Sequence, residues 1–203
     1  MFLLSLRPAV VALALAPAAL WLGAPPAAAA TFDLPPIDRI VNYQPKLPLQ
    51  VFTADGVEIA QFGTERREYL PLSRMPLRLQ QAVLAVEDAR FYSHSGLDLV
   101  GVARAVVAQF TGGLRQGAST ITQQVARTFF LTRERTLSRK LKEALLSLRI
   151  EQQLSKDQIL ELYMNQIYLG ARTYGFAEAA RTYFGKPIQQ LSVAECAMLA
   201  GLP

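Results

Sequence analysis

The chain is poor in the two residues that most often build compact metal and nucleophile sites: of 203 residues, one is cysteine (Cys196) and one is histidine (His94). A lone cysteine excludes an internal disulfide scaffold and a cysteine-based zinc site. A lone histidine excludes a His-rich metal centre and leaves a Ser-His-Asp triad a single base to use. Charge is also scarce, at 18% of residues against 51% apolar. That balance excludes intrinsic disorder as a description of the whole, and the length fits one domain with a short appendage.

The scarcity of charge is complete at the amino terminus, where no charged side chain lies between Arg7 and Asp33. One arginine, an apolar run over 8–24 and small residues at 27–30 match an export leader. The same uncharged stretch can cross a bilayer, which takes a helix of ~20 residues, although Pro17 and Pro25–Pro26 shorten its helical part. Both readings export everything after residue 30, and a retained signal-anchor over 1–30 is favoured over a cleaved leader. Residues 31–47 carry prolines without a period and read as a linker. Residues 48–70 read as a β-hairpin entry, because 49–62 alternate and are broken by Asp55-Gly56. Residues 71–203 read as a mostly helical body.

The charge that is present is concentrated. Residues 127–149 hold seven basic side chains and two acidic ones, which accounts for the whole net charge of +5. Such a block implies an anionic partner: nucleic acid, an anionic membrane surface or a phosphorylated substrate. A solvated helix face is the plain alternative. Within the block, Leu137, Leu141, Ala144, Leu145 and Leu148 fall on one helical face, with Arg139 and Glu143 on the opposite one.

Two further segments carry chemistry. Ala82–Val86 has no polar residue and predicts a buried helix that delivers Glu87 and Asp88 to the edge of a core, where a desolvated carboxylate suits general-base work. A helix end meeting water or a nearby arginine explains the same residues more plainly, and His94 alone reads as a structural histidine. In Gly117–Gln124, glycine followed by Ser119 and Thr120 at a helix start predicts an anion site, with N–H groups and hydroxyls aimed outward. It lacks the Gly-Lys-Ser/Thr ending of a Walker A loop. Arg127 follows on the same helix and Arg135 soon after. Capping boxes are predicted at Ser155-x-x-Gln158 and Ser192-x-x-Glu195.

Together these segments resemble glycosyltransferase family 51, the peptidoglycan polymerase domain of class A penicillin-binding proteins and monofunctional transglycosylases. The match lies in E-D-x-x-F-x-x-H-x-G at Glu87–Gly96, G-A-S-T-I-T-Q-Q at Gly117–Gln124 and R-K-x-x-E at Arg139–Glu143. Leu162-Tyr163-Met164-Asn165 with Gly170, and Leu191–Ala197, follow in the family's order. The span is 82–203, and 48–70 resembles the hairpin that precedes the domain in class A enzymes. Ala118, Met164 and Arg127 stand where glycine, leucine and lysine are commoner; Met for Leu conserves volume and Arg for Lys conserves charge.

The resemblance implies a mainly α fold: a lysozyme-like lobe with a small membrane-facing lobe, drawn from residues around 100–110 and 129–131. It implies polymerisation of lipid II into β-1,4 glycan strands with inversion. Glu87 resembles the base and Glu143 the second essential carboxylate. Arg127 and Arg135 stand at the pyrophosphate-binding positions. Asp88, Phe91, Ser119, Thr120, Gln123, Gln124, Arg139, Lys140 and Asn165 are expected to contact substrate. No cofactor is required by this reading, with a divalent cation (Mg or Mn) near the pyrophosphate as an option. The implied partners are lipid II, the growing glycan strand, the membrane and other cell-wall synthesis proteins, and no nucleic acid. The implied location is the inner membrane, single-pass, with the catalytic domain outside. The chain ends at Leu202-Pro203 directly after the fifth motif and has no Ser-x-x-Lys or Lys-Thr-Gly, so it is expected to be an amino-terminal fragment without a transpeptidase domain. The alternatives are a lysozyme-like lytic enzyme, an inactive membrane-associated fragment and a basic membrane or nucleic-acid binder; a glycosidase has no use for so dense an arginine block.

Overall fold

A computed structural model describes residues 34–45, 48–63, 65–110, 119–131 and 136–203. The expected leader at 1–30 and Arg135 lie outside the described residues.

The linker region 31–47 carries a short helix, α1 (Asp38–Val41). Its Ile40 is buried in the core, and Tyr43 sets its ring edge-on to Phe129 at 4.9 Å. The segment is therefore docked as well as connecting. Strands β1 (Leu49–Phe52) and β2 (Glu58–Phe62) pair antiparallel, with Leu49 opposite Phe62 and Val51 opposite Ala60. Thr53 closes the turn: its N–H donates to the Val57 carbonyl at 2.8 Å and its Oγ1 accepts from the Val57 N–H at 2.9 Å. Gly56 takes a φ of +85°, which the Asp-Gly signal anticipates.

A second pairing has no sequence signal. β3 (Arg66–Arg67) runs parallel to β4 (Thr173–Tyr174), more than a hundred residues away. Arg67 holds it. The buried guanidinium sits 5.1 Å over the Tyr174 ring, pairs with Glu65 at 3.0 Å, and donates to Tyr43 Oη and to the Asn165 carbonyl.

The body is helical: α2 (Leu77–Glu87), α3 (Leu99–Phe110), α4 (Ile121–Phe130), α5 (Leu137–Gln153), α6 (Lys156–Gln166), α7 (Phe176–Phe184) and α8 (Val193–Ala200). Helix α4 packs against both α5 and α6, and α2 packs on α8. The core is drawn from Leu79 and Val83 of α2, Ile121 and Val125 of α4, Leu146 and Ile150 of α5, Ile159, Leu160 and Met164 of α6, and Phe176 and Leu199 further on. Both predicted capping boxes are present, at Ser155–Gln158 and Ser192–Glu195.

The expectation of a buried α2 fails, and α5 turns its leucine face outward. In α2 only Leu79 and Val83 are buried, while Val86 is 59% exposed, because a single face meets α8. In α5 the leucine face points outward, with Leu137 91% exposed and Leu141 47%. The face that enters the core holds Glu143, Leu146, Ser147 and Ile150. Polar groups tolerate burial only with partners, and here they have them. Ser147 Oγ donates to the Glu143 carbonyl at 2.7 Å, and the Glu143 carboxylate is ion-paired twice. Helix α3 also turns Leu99, Val100, Val102 and Val107 outward. Among the described residues no helix is long and apolar enough to cross a membrane.

The reversed orientation of α5 can be checked by unfolding. Leu137→Gln should change stability by less than ~0.5 kcal/mol, whereas Leu146→Ala should cost about 2–5 kcal/mol. Comparable losses would mean that the leucine face packs.

A second check concerns α8. Glu195 Oε1 pairs with Lys186 Nζ at 2.7 Å, and its Oε2 accepts from the Ser192 N–H at 2.7 Å. The Lys186 hydrogen bond, then the Ser192 backbone N–H, push the Glu195 carboxyl down from an ordinary 4.5 to about 2. A lowered folded-state value adds stability above the unfolded value, lost as pH falls through the folded one. Between pH 4.5 and 2, Glu195→Gln should therefore flatten part of the acid-side decline in unfolding midpoint.

Candidate active site

The amino terminus of α4 organises the site. Thr120 is its N-cap: Oγ1 accepts from the Gln123 N–H at 3.2 Å, and Gln123 Oε1 accepts from the Thr120 N–H at 3.1 Å. The Ile121 N–H donates to Asp88 Oδ2 at 3.1 Å. The helix start is thus a capping box with a protein carboxylate seated on it, a pattern that Thr120-x-x-Gln123 carries in the sequence. This corrects the expectation of an anion site with outward N–H groups and hydroxyls. The N–H donors of Thr120, Ile121 and Gln123 are occupied from inside, and Asp88 supplies the anion that the helix dipole favours.

Asp88 is buried and also meets His94, whose Nε2 lies 3.0 Å from both of its carboxylate oxygens. It joins the loop after α2 to the start of α4. His94, itself buried, shares that place. Gly96 completes the junction. Its carbonyl accepts from Thr120 Oγ1 at 2.7 Å, its φ is +87°, and a Cβ there would stand 3.0 Å from the Ser147 carbonyl carbon and oxygen. Only glycine combines that φ with that approach.

Phe91 and Asn165 are likewise internal. Phe91 is buried under Lys156, whose Nζ lies 4.3 Å over the ring and pairs with Glu151 at 2.6 Å. Asn165 accepts from the Leu70 N–H at 2.9 Å and donates to the Leu70 and Glu161 carbonyls at 2.8 Å each. It pins the chain entering the body to α6.

The remaining residues gather into two groups on either side of α4. In one, Gln124 Nε2 donates to Glu87 Oε2 at 2.6 Å. Three residues on, and so on the same face, Arg127 is exposed. In the other, Glu143 is fully buried between Arg139 Nη1 at 2.7 Å and Lys140 Nζ at 2.5 Å. Lys140 Nζ also donates to Ser119 Oγ at 2.9 Å, and Gln123 Oε1 lies 3.5 Å away. Arg139 Nε is buried without a hydrogen-bond partner among the described residues, so it keeps one donor in reserve.

The two carboxylates are unlike. Glu87 meets a neutral amide, and Glu143 meets two cations. With both oxygens of Glu143 engaged, and no group of three or more His, Cys, Asp or Glu among the described residues suited to a metal ion, these side chains do not fit a resident divalent cation at Glu143. One buried residue absent from the expected set feels the charge of Glu87. Tyr163 of α6 is buried and its hydroxyl has no partner among the described residues. Burial and the nearby Glu87 charge push its ionisation up, opposed by Arg127. Apolar neighbours in sequence hid it among core residues.

The transglycosylase family model matches residues 55–203. Penicillin-binding protein 1A of Neisseria cinerea is 57% identical over 171 residues, covering 84% of this chain and 21% of that protein. Penicillin-binding protein 1A of Escherichia coli (strain K12) is 53% identical over 172 residues, covering 84% of this chain and 20% of that protein. The chain thus spans about a fifth of the length of these curated relatives. Among solved structures, a crystal structure of penicillin-binding protein 1A from Haemophilus influenzae matches 79% of this chain and 14% of its own, at 28% identity and a TM-score of 0.36.

The structural place of Asp88 has a measurable consequence. Asp88→Ala strips the acceptor from a buried N–H and a buried imidazole, and should lower stability by about 2–4 kcal/mol. Ser119→Ala, at the half-buried edge, should cost under ~1 kcal/mol. An Asp88→Ala protein as stable as the parent in denaturant unfolding would return Asp88 to the surface of the site.

Proposed function

Because the chain belongs to the transglycosylase family, we propose that it is a peptidoglycan glycosyltransferase that joins lipid II units into β-1,4 glycan strands with inversion at the anomeric carbon. The observation that carries this reading is the unequal partnership of the two glutamates. Transfer from a diphosphate-linked sugar needs a base on the acceptor hydroxyl and cations on the departing pyrophosphate; it needs no strong acid there. Glu87, held among the described residues by Gln124 alone, is the base. It takes the proton of the acceptor hydroxyl as that oxygen attacks the donor anomeric carbon. The bond from that carbon to the phosphate oxygen breaks, and the pyrophosphate leaves with the electron pair.

Glu143 has another task. Paired to Arg139 and Lys140, it fixes the cations that meet the pyrophosphate, together with Arg127 and Arg135. Charge-assisted contacts of this kind strengthen as negative charge develops on the leaving group. Ser119, bonded to Lys140, and Gln123 and Gln124 of α4 are the substrate-contact residues of this reading. The outward Leu99, Val100, Val102 and Val107 of α3 support contact with the bilayer that carries the lipid tail. In this reading the domain works on the outer side of the inner membrane behind a retained 1–30 anchor, alongside other cell-wall synthesis proteins.

The test is glycan synthesis from labelled lipid II by the purified chain. Glu87→Gln should lower polymerisation by ~10²-fold or more while lipid II binding survives. Near-normal turnover by that variant would end the assignment. Arg127→Ala should weaken both binding and rate, and Lys142→Ala should do far less. Equal effects of those two substitutions would reduce the basic block to a general electrostatic surface.

A further inference from the structure

Helix α5 leaves an apolar ridge outside the fold. Leu137, Leu141 and Leu148 are 91%, 47% and 38% exposed. With Ala144 they recur in steps of four, three and four residues, the spacing of a coiled-coil seam. At the helical pitch these positions cover about 60° of the helix surface along about 16 Å of its length. Leu145 beside them is half-buried, and Ser138 and Gln152 are exposed at the edge of the seam. The charge around the ridge has one sign. The acids of α5 are Glu143 and Glu151, whose side chains are 1% and 9% exposed and ion-paired to Arg139, Lys140 and Lys156. Lys142 and Arg149, seven residues apart, share a line beside the ridge. Lys140, its side chain 45% exposed, stands on the other side. The outward surface of α5 is thus leucine and cation, without a carboxylate.

We propose that this ridge is the docking site for an amphipathic helix of a partner protein, one whose apolar seam is flanked by Asp and Glu. Two helices bury such seams by setting each knob of one into a hole of the other. Acidic flanks answer Lys142, Arg149 and Lys140, and a basic helix is turned away by the same charges. A second copy of this chain is a poor occupant, because paired ridges set like charges side by side. A bilayer surface is a poor one too. Helices that lie on lipid present a broad apolar half, whereas this seam is narrow and edged by Ser138 and Gln152. Leu99, Val100, Val102 and Val107 of α3 form the denser apolar surface for that task. The inference does not depend on the reaction assigned above, since the ridge lies on the face of α5 opposite Glu143.

The probe is a fluorescent synthetic peptide of about four heptads, with Leu along the seam and Glu on both flanks, which keep it from pairing with itself. A twin with Lys in place of Glu is the comparison. Added to the full chain, the Glu peptide should bind saturably and at least ~10-fold more tightly than its twin. Leu137→Gln with Leu141→Gln should weaken that binding by ~10-fold or more at an unchanged thermal midpoint. Lys142→Gln with Arg149→Gln should remove most of the preference for Glu over Lys and flatten the salt dependence. If the leucine variant unfolds, the charge variant decides alone. Absence of saturable binding, equal affinity for the two peptides, or indifference to these substitutions overturns the inference. Two further results overturn it by seating another occupant on the ridge. One is a concentration-dependent dimer of the chain that Leu137→Gln abolishes. The other is a dye on Leu137→Cys, the native Cys196 being buried, that enters vesicles of phosphatidylcholine and phosphatidylglycerol and is not displaced by the Glu peptide.

Discussion

A single buried carboxylate, that of Asp88, sets the arrangement of everything around it. It ends one helix, receives the first N–H of another and binds the one imidazole of the chain. Burying a charge in this way is tolerated only because donors surround it. The residue next to it, Glu87, is thereby fixed at the mouth of the site with no bond of its own to that network. The two adjacent acids are divided: the second is consumed by the fold, while the first meets only the Gln124 amide among the described residues.

The same division runs through the second motif. Thr120 and Gln123 close the start of α4, Gln124 reaches Glu87, and Ser119 reaches Lys140. One helix start therefore ties Glu87 to Lys140 and, through it, to Glu143. Because α4 is packed by α5 on one side and α6 on the other, its position leaves little freedom to either group.

Much of this was legible in the residues, and what was not has a physical cause. The hairpin could be read because Asp55-Gly56 encodes its own turn, and the capping boxes because they are local. The β3–β4 pairing could not, since two-residue strands more than a hundred positions apart leave no periodic trace. The direction of α5 stayed open because hydrophobic spacing reports an amphipathic helix without saying which face meets the core. Ion pairing of Glu143 reversed the usual answer. Of the residues named from the motifs, Asp88, Phe91, Thr120 and Asn165 are internal. Their partners are backbone groups and rings from elsewhere in the chain, which no motif displays.

Gly96 bears on how such a site keeps its dimensions. Its bare α-carbon rests against the backbone at Ser147, one turn along from Glu143 on α5. Contact between two main chains has no rotamers through which to yield. The gap between the loop after α2 and helix α5 is therefore gauged by an absent methyl group, as a machinist sets a clearance with a shim of fixed thickness. Strength of attraction does not set that gap; hard contact does. A domain gauged in this way can accept wide drift in its outer side chains while the reach between its two glutamates stays constant.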